Sequence, residues 1–251
     1  MAAASSTMEA MGPTPAAVME ALESNWVDTP AGQVEVKLSV PAGEHPTALA
    51  LLIHGMSPER DVVWEWGCVV EELRRRKTAA VLPNLHSCSQ TAPAAALATD
   101  VASALAAIVT WARKRIDSSG CTPLLVYGKS WGGARAVELC TRGGLEGLSG
   151  LCLACPSTQI PDRAGQVAAL AVPVLLVWAK DDKTIPFDAH EPLLKELRAR
   201  TAGVTLFEPV EAGGHRVDFM AALDAGLSAK LTEWPDLALG PLASAKPAPA
   251  A

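Results

Sequence analysis

Aromatic residues are scarce in this sequence: seven Trp, three Phe and one Tyr make up 4% of 251 residues. No run of about 18 apolar residues occurs, so no membrane-spanning helix is expected. There is no basic excess either. Lys and Arg number 21 against 27 Asp and Glu, a formal net charge of −6, which removes any bulk attraction for nucleic acid or an anionic membrane. No G-x-G-x-x-G or Walker pattern is present, and neither Gly132-Gly133 nor Gly213-Gly214 forms a phosphate loop. The lone C-x-x-C, Cys152-Leu153-Ala154-Cys155, lies in an apolar stretch with no second cysteine pair or histidine cluster nearby. It reads as a buried strand carrying two thiols rather than a zinc or redox site. Met1 to Pro15 lacks the basic and long apolar regions of a signal peptide, and no arginine precedes Arg60. A reduced, cytoplasmic setting follows as the default, with an organelle as the lesser alternative.

What remains is enough for a large core. Hydrophobic residues make up 49% and charged residues 19%, a balance that excludes a disordered chain. A domain of this length hides roughly 70% of its unfolded surface. Residues 1–23 are small and polar and read as a flexible extension, 24–236 as one folded domain, and 237–251 as a disordered tail. The last ten residues, LASAKPAPAA, are low in complexity.

Apolar runs alternate with helical patterns. Strands are expected at Val34–Val40, Ala48–Ile53, Thr78–Leu82 (closed by Pro83), Pro123–Tyr127, Leu148–Ala154, Val172–Trp178 and Val204–Phe207. Helices are expected at Asp61–Lys77, Ala94–Ile116, Trp131–Thr141, Ala189–Ala199 and Val217–Leu231. The basic cluster Arg74–Lys77 reads as a solvated helix end. This alternation predicts a mostly parallel sheet of about seven or eight strands with helices on both faces. Ligands bind such sheets beyond the carboxyl ends of the strands, so the loops after Ile53, Leu82, Tyr127, Ala154, Trp178 and Phe207 matter most.

One of those loops reads Gly128-Lys129-Ser130-Trp131-Gly132, a G-x-S-x-G between a strand and a helix. A serine on so sharp a turn needs small residues two before and two after it, here Gly128 and Gly132. The turn lifts the hydroxyl above the sheet and puts the Trp131 N–H at a helix start, where it can donate to a developing oxyanion. Serine needs a base. His215, in Gly213-Gly214-His215 after the last strand, is the candidate, and Asp182 is the acid to orient it, with Asp181 competing. The chain order is Ser130, Asp182, His215.

With Leu52-Ile53-His54-Gly55-Met56, the elbow at 128–132, the turn at 181–186 and Gly213-Gly214-His215, the sequence resembles the α/β-hydrolase superfamily over residues 25–235. The resemblance implies an α/β-hydrolase fold and a Ser130–His215–Asp182 triad acting through an acyl-enzyme. It also implies an oxyanion hole made by the backbone N–H groups of Trp131 and Met56. The family's acid turn, Gly-x-x-Asp-x-x-Val-Pro, aligns with Ala179-x-x-Asp182-x-x-Ile185-Pro186 and so favours Asp182. The loop Pro83–Ser89 departs from the family pattern by lacking its glycines. The short interval between the strands at 148–154 and 172–178 leaves no room for a lid, a plan similar to the dienelactone-hydrolase and small-carboxylesterase branches.

The expected activity is hydrolysis of a small carboxylic ester or thioester, with no cofactor and no metal. The alternatives are a non-catalytic binding module on the same fold, or acyl transfer or C–C hydrolysis by the same residues. A protein partner has no support in the sequence. His54 is expected to be structural, and His86 to line the pocket or lie in solvent. His45 and His190 are expected at the surface. For Lys129 a surface position and a role with an anionic substrate both stand, and Trp64 and Trp66 either pack near the oxyanion loop or cover the sheet.

Overall fold

The computed structural model describes residues 22–43, 45–56, 66–86, 94–117, 122–157, 160–215 and 234–239. They build one sheet of eight strands in the order β1-β2-β4-β3-β5-β6-β7-β8. The strands are β1 (Ser24–Thr29), β2 (Gly32–Ser39), β3 (Ala48–Ile53), β4 (Thr78–Asn84), β5 (Leu124–Lys129), β6 (Leu148–Ala154), β7 (Val174–Ala179) and β8 (Thr205–Val210). β1, β2 and β4 pair antiparallel, and every pair from β4 through β3 to β8 is parallel. The expected α/β, mostly parallel architecture is therefore observed.

Burial explains the parallel part. Every residue of β3, β5 and β7 is buried, as required where helices cover both faces. Each fully buried Leu, Ile or Val there contributes about 1.5–3 kcal/mol relative to exposure. The covering helices are α1 (Gly67–Arg75), α2 (Ala94–Ile116), α3 (Trp131–Thr141), α4 (Ala164–Ala168), α5 (Glu191–Ala199) and α6 (234–239). α2 is two segments joined at Asp100, which leaves helical geometry and accepts the Ser103 N–H at 3.3 Å. Such a bond caps the second segment.

The few aromatics are concentrated. Tyr127 on β5 meets Trp66 edge-on at 6.3 Å and Trp234 of α6 at 5.2 Å. Both tryptophans are fully buried, so Trp66 belongs to this core cluster. Burial holds the Tyr127 phenol well above its ordinary pKa. α6 lies so close to β6 that a Cβ on Gly150 would stand 2.8 Å from the Trp234 ring and 2.8 Å from the Ala238 Cβ.

Several boundaries differ from expectation. β4 does not stop at Pro83 but continues to Asn84, with Pro83 opposite Val36 of β2. The β3 side of the ladder ends at Leu51 opposite Val81, so nothing on that side needs the N–H that proline lacks. The described helix before β4 starts at Gly67; residues 57–65, including Trp64, lie outside the described residues. β7 starts at Val174, and α5 starts at Glu191 after a 3₁₀ turn, Phe187–His190. α6 runs past residue 236, where the tail was expected to begin, because Leu239 packs into the core at 8% exposure. The helix expected at Val217–Leu231 lies outside the described residues. Trp26 on edge strand β1 is the most exposed of the described tryptophans, at 53%. Among the described residues no helix is long and apolar enough to cross a membrane.

Candidate active site

Ser130 stands between β5 and α3 with φ 53° and ψ −121°, a backbone conformation that L-residues rarely adopt. Three hydrogen bonds fix it. The Ser130 N–H donates to the Ala154 carbonyl at 2.9 Å, and the Ser130 carbonyl accepts the N–H groups of Gly133 and Ser157, both at 2.9 Å. The flanking glycines are sterically required. A Cβ on Gly128 would lie 2.5 Å from the Gly132 carbonyl oxygen, and one on Gly132 would collide with the carbonyl oxygens of Ile53 and His54. The end of β3 and the start of α3 thus meet backbone to backbone, bringing Gly55 beside Ser130.

The Ser130 Oγ lies 2.8 Å from His215 Nε2, and His215 Nδ1 lies 2.9 Å from Asp182 Oδ2. Asp182 is 3% exposed, and its Oδ1 accepts the N–H groups of Thr184 and Ile185, both at 2.9 Å. Three hydrogen bonds, two from backbone N–H groups and one from the imidazole, therefore fix the acid end of the serine–histidine–aspartate row. With Nδ1–H donating to the carboxylate, the Nε2 lone pair is free to accept a hydrogen bond from the Ser130 hydroxyl.

Asp181 is exposed and plays a different part. Its Oδ1 accepts the Gly214 N–H at 2.8 Å, tying down the loop that carries His215. The hydrogen bond from Gly214, assisted by one from Gly213, holds the Asp181 carboxyl below its ordinary pKa. The two neighbouring acids thus divide the work: one faces the imidazole, the other faces its backbone.

Solved structures resemble this chain in overall fold. An α/β hydrolase candidate of unknown function from Agrobacterium tumefaciens matches with a TM-score of 0.67 at 15% identity, over 85% of this chain and 95% of that one. A lidless α/β serine hydrolase from Xanthomonas campestris matches at 0.61 and 16% identity, over 86% and 95%. A dienelactone hydrolase from Anabaena variabilis matches at 0.61 and 20%, over 85% and 95%.

The chain has the α/β-hydrolase fold.

No protein-family model and no curated protein matches it. On this α/β-hydrolase fold the described part of the connection between β6 and β7 holds only a 3₁₀ turn, Pro161–Arg163, and the short α4.

The remaining histidines separate by environment. His54 is fully buried at the end of β3; its Nε2 accepts the Leu85 N–H at 3.0 Å, and Nδ1–H donates to the Gly55 carbonyl at 2.7 Å. Burial lowers its pKa to about 4, so it stays neutral and braces the 54–56 loop. The His86 ring lies tilted against that of His54 with centroids 4.8 Å apart, and partial burial lowers its pKa too. His45 is exposed. His190 was expected at the surface, and the structure corrects this. It is 0% exposed, with its ring 4.4 Å from that of Trp178, because the 3₁₀ turn folds Phe187 and His190 back onto β7. Burial lowers its pKa to about 4, and neither ring nitrogen has a hydrogen-bond partner among the described residues.

Lys129 is not a surface residue: at 8% exposure it is buried at the end of β5. Met56, after Gly55, is 68% exposed. Cys140, Cys152 and Cys155 are buried thiols outside any disulfide, and burial pushes the thiols of Cys140 and Cys152 well above their ordinary pKa. Cys155 lies one residue beyond β6, and its Sγ is 3.9 Å from the His215 carbonyl oxygen. The apolar run predicts both cysteines of the C-x-x-C within the strand, whereas β6 ends at Ala154 and leaves Cys155 beyond it. Alternation along an apolar run carries no signal for which thiol emerges at the carboxyl edge.

Proposed function

We propose that this protein is a serine hydrolase that cleaves a small carboxylic ester or thioester through an acyl-enzyme. The observation that carries the proposal is the continuous row Ser130 Oγ–His215 Nε2 at 2.8 Å and His215 Nδ1–Asp182 Oδ2 at 2.9 Å. In the forward step the Ser130 oxygen attacks the acyl carbon while Nε2 takes its proton. Asp182 holds the tautomer and stabilises the resulting imidazolium. The Met56 and Trp131 N–H groups receive the oxyanion, and the imidazolium returns its proton to the leaving alkoxide or thiolate. A water then repeats the sequence and frees Ser130.

The fold's likeness to a lidless serine hydrolase and to a dienelactone hydrolase supports a small substrate, as does the short β6–β7 connection. The buried thiols, none in a disulfide among the described residues, support a reducing compartment such as the cytoplasm. The test is labelling with a fluorophosphonate probe, comparing the native protein with Ser130→Ala and locating the adduct by peptide mass spectrometry. Labelling at Ser130 that vanishes in the variant is expected. A folded native protein that takes no label overturns the assignment in favour of a binding module on the same fold.

A further inference from the structure

Beside the serine–histidine–aspartate row stands a group that the proposed reaction does not use. Cys155 is 0% exposed and free of any disulfide. Its Sγ, an Asp182 carboxylate oxygen and a His215 ring nitrogen all lie within 4.8 Å of one another. Cys155 also has φ 31°, a left-handed backbone that favours glycine, yet the position carries a thiol. The turn is fixed by the Cys155 N–H, which donates to the Val177 carbonyl at 2.9 Å, so the sulfur is held against the acid and base by β6 and β7 rather than by a loose loop.

We propose that Cys155, Asp182 and His215 form a binding site for a soft divalent cation, Zn²⁺ or Cd²⁺, whose occupancy switches the hydrolase off. This rests on the serine-hydrolase reading above. Thiolate, imidazole and carboxylate are the donor types zinc takes, at about 2.0–2.3 Å, and a fourth position is open to water. Donors already within 4.8 Å close on such an ion with small side-chain movements. Charge favours the set as well. A thiolate and a carboxylate neutralise the dication, so the loaded buried site carries no net charge.

The proton balance explains the inhibition. In the free enzyme the His215 Nδ1–H donates to Asp182, leaving Nε2 to accept from Ser130. The ion binds Nδ1 and the Asp182 oxygen in place of that proton, which moves to Nε2. The Cys155 thiol releases its proton to solvent, one for each ion bound. Nε2–H is then a donor, and Ser130 has lost its base. Hard cations such as Mg²⁺ prefer oxygen ligands and are not expected to compete.

The experiment uses the full chain as native protein, Cys155→Ala and Cys155→Ser. Cd²⁺ is titrated while the thiolate-to-cadmium charge-transfer absorbance is followed, and the rate of fluorophosphonate labelling is measured with and without Zn²⁺, and with Mg²⁺. The native protein is expected to show a Cd²⁺ band saturating at one equivalent that both variants lack. Saturating Zn²⁺ should slow its labelling at least about tenfold, reversibly with chelator, while Mg²⁺ has no effect. Both variants should label at the native rate whether or not Zn²⁺ is present. Absence of the band, labelling unaffected by Zn²⁺, or equal inhibition in native and variant proteins overturns the proposal. A native protein that shows the band but never labels upholds the site and overturns the hydrolase reading instead.

Discussion

Ser130 and His215 approach each other from loops that are secured in opposite ways. The turn after β5 is locked by exclusion: Gly128 and Gly132 sit where any Cβ would strike backbone, and Ser130 is forced to φ 53°. The loop after β8 is locked by attraction: Asp182 holds the ring of His215 and Asp181 holds the backbone beside it. Steric locks are integral to the core, so disturbing one disturbs the fold. Hydrogen-bonded locks hold loops beyond the strand ends, so their removal is expected to leave the sheet intact.

That contrast can be broken most violently at the elbow. Gly132→Val should destabilise the protein by more than about 4 kcal/mol, the range reserved for severe overpacking, and give insoluble or unfolded protein in circular dichroism and thermal melts. A soluble, native-like Gly132→Val protein would show that β3 and α3 can separate without loss of the fold. Next in size is Asp182→Asn. Its turnover should fall about 10³–10⁴-fold, since an amide favours the wrong imidazole tautomer, while the melting temperature changes little. Parallel losses of activity and stability would mean that Asp182 is chiefly a structural turn residue.

Acid sharpens the comparison from the elbow side. His54 has its pKa lowered to about 4 by burial, against 6.5 for an ordinary histidine. The unfolded chain therefore binds its proton first as pH falls. Stability from His54 is complete above pH 6.5, declines from there toward pH 4 and levels below it, a loss of about 3 kcal/mol. His190 acts in the same direction. Denaturant unfolding between pH 7 and pH 4 reads this decline; replacing His54 by Gln should flatten it, and an unchanged slope in that variant would place the titrating group elsewhere. The smallest effect belongs to Asp181→Ala. Loosening the Gly214 tether should lower kcat about tenfold, less than the roughly hundredfold loss that accompanies an ångström-scale misplacement. Asp181→Asn, which keeps an acceptor oxygen, should recover most of it. Equal losses in both variants would point to charge rather than to the hydrogen bond.

Periodicity and glycine spacing made much of this legible in advance. α3 and β6 have the boundaries that their apolar patterns predict, Trp131–Thr141 and Leu148–Ala154, because each is flanked by unambiguous turn residues. The spacing of Ser130, Asp182 and His215 pointed to residues that the fold brings within hydrogen-bond distance. Other features depend on who the neighbours are. Pro83 looked like a strand end because local chemistry cannot reveal that β4 has already lost its β3 partner there. β1 carries no clear alternation and is formed by pairing with β2 from Ser24–Lys37 to Thr29–Gly32. His190 looked like a surface group because nothing in its own segment announces Trp178, which contacts it from β7. Asp181 and Asp182 were rivals for one role in the sequence, and only three-dimensional placement gives each its own.

The small helix α6 bears on the histidine in a way that no direct contact conveys. Trp234 is fixed against Tyr127 and Gly150, and Asp236 pairs with Arg76 at the end of α1. His215 therefore belongs to a length of chain anchored at β8 on one side and at α6 on the other. A chain held at both ends explores far fewer arrangements than one held at a single end. Part of the entropy of presenting an imidazole to a serine is thus spent during folding, in an aromatic cluster outside the serine–histidine–aspartate row.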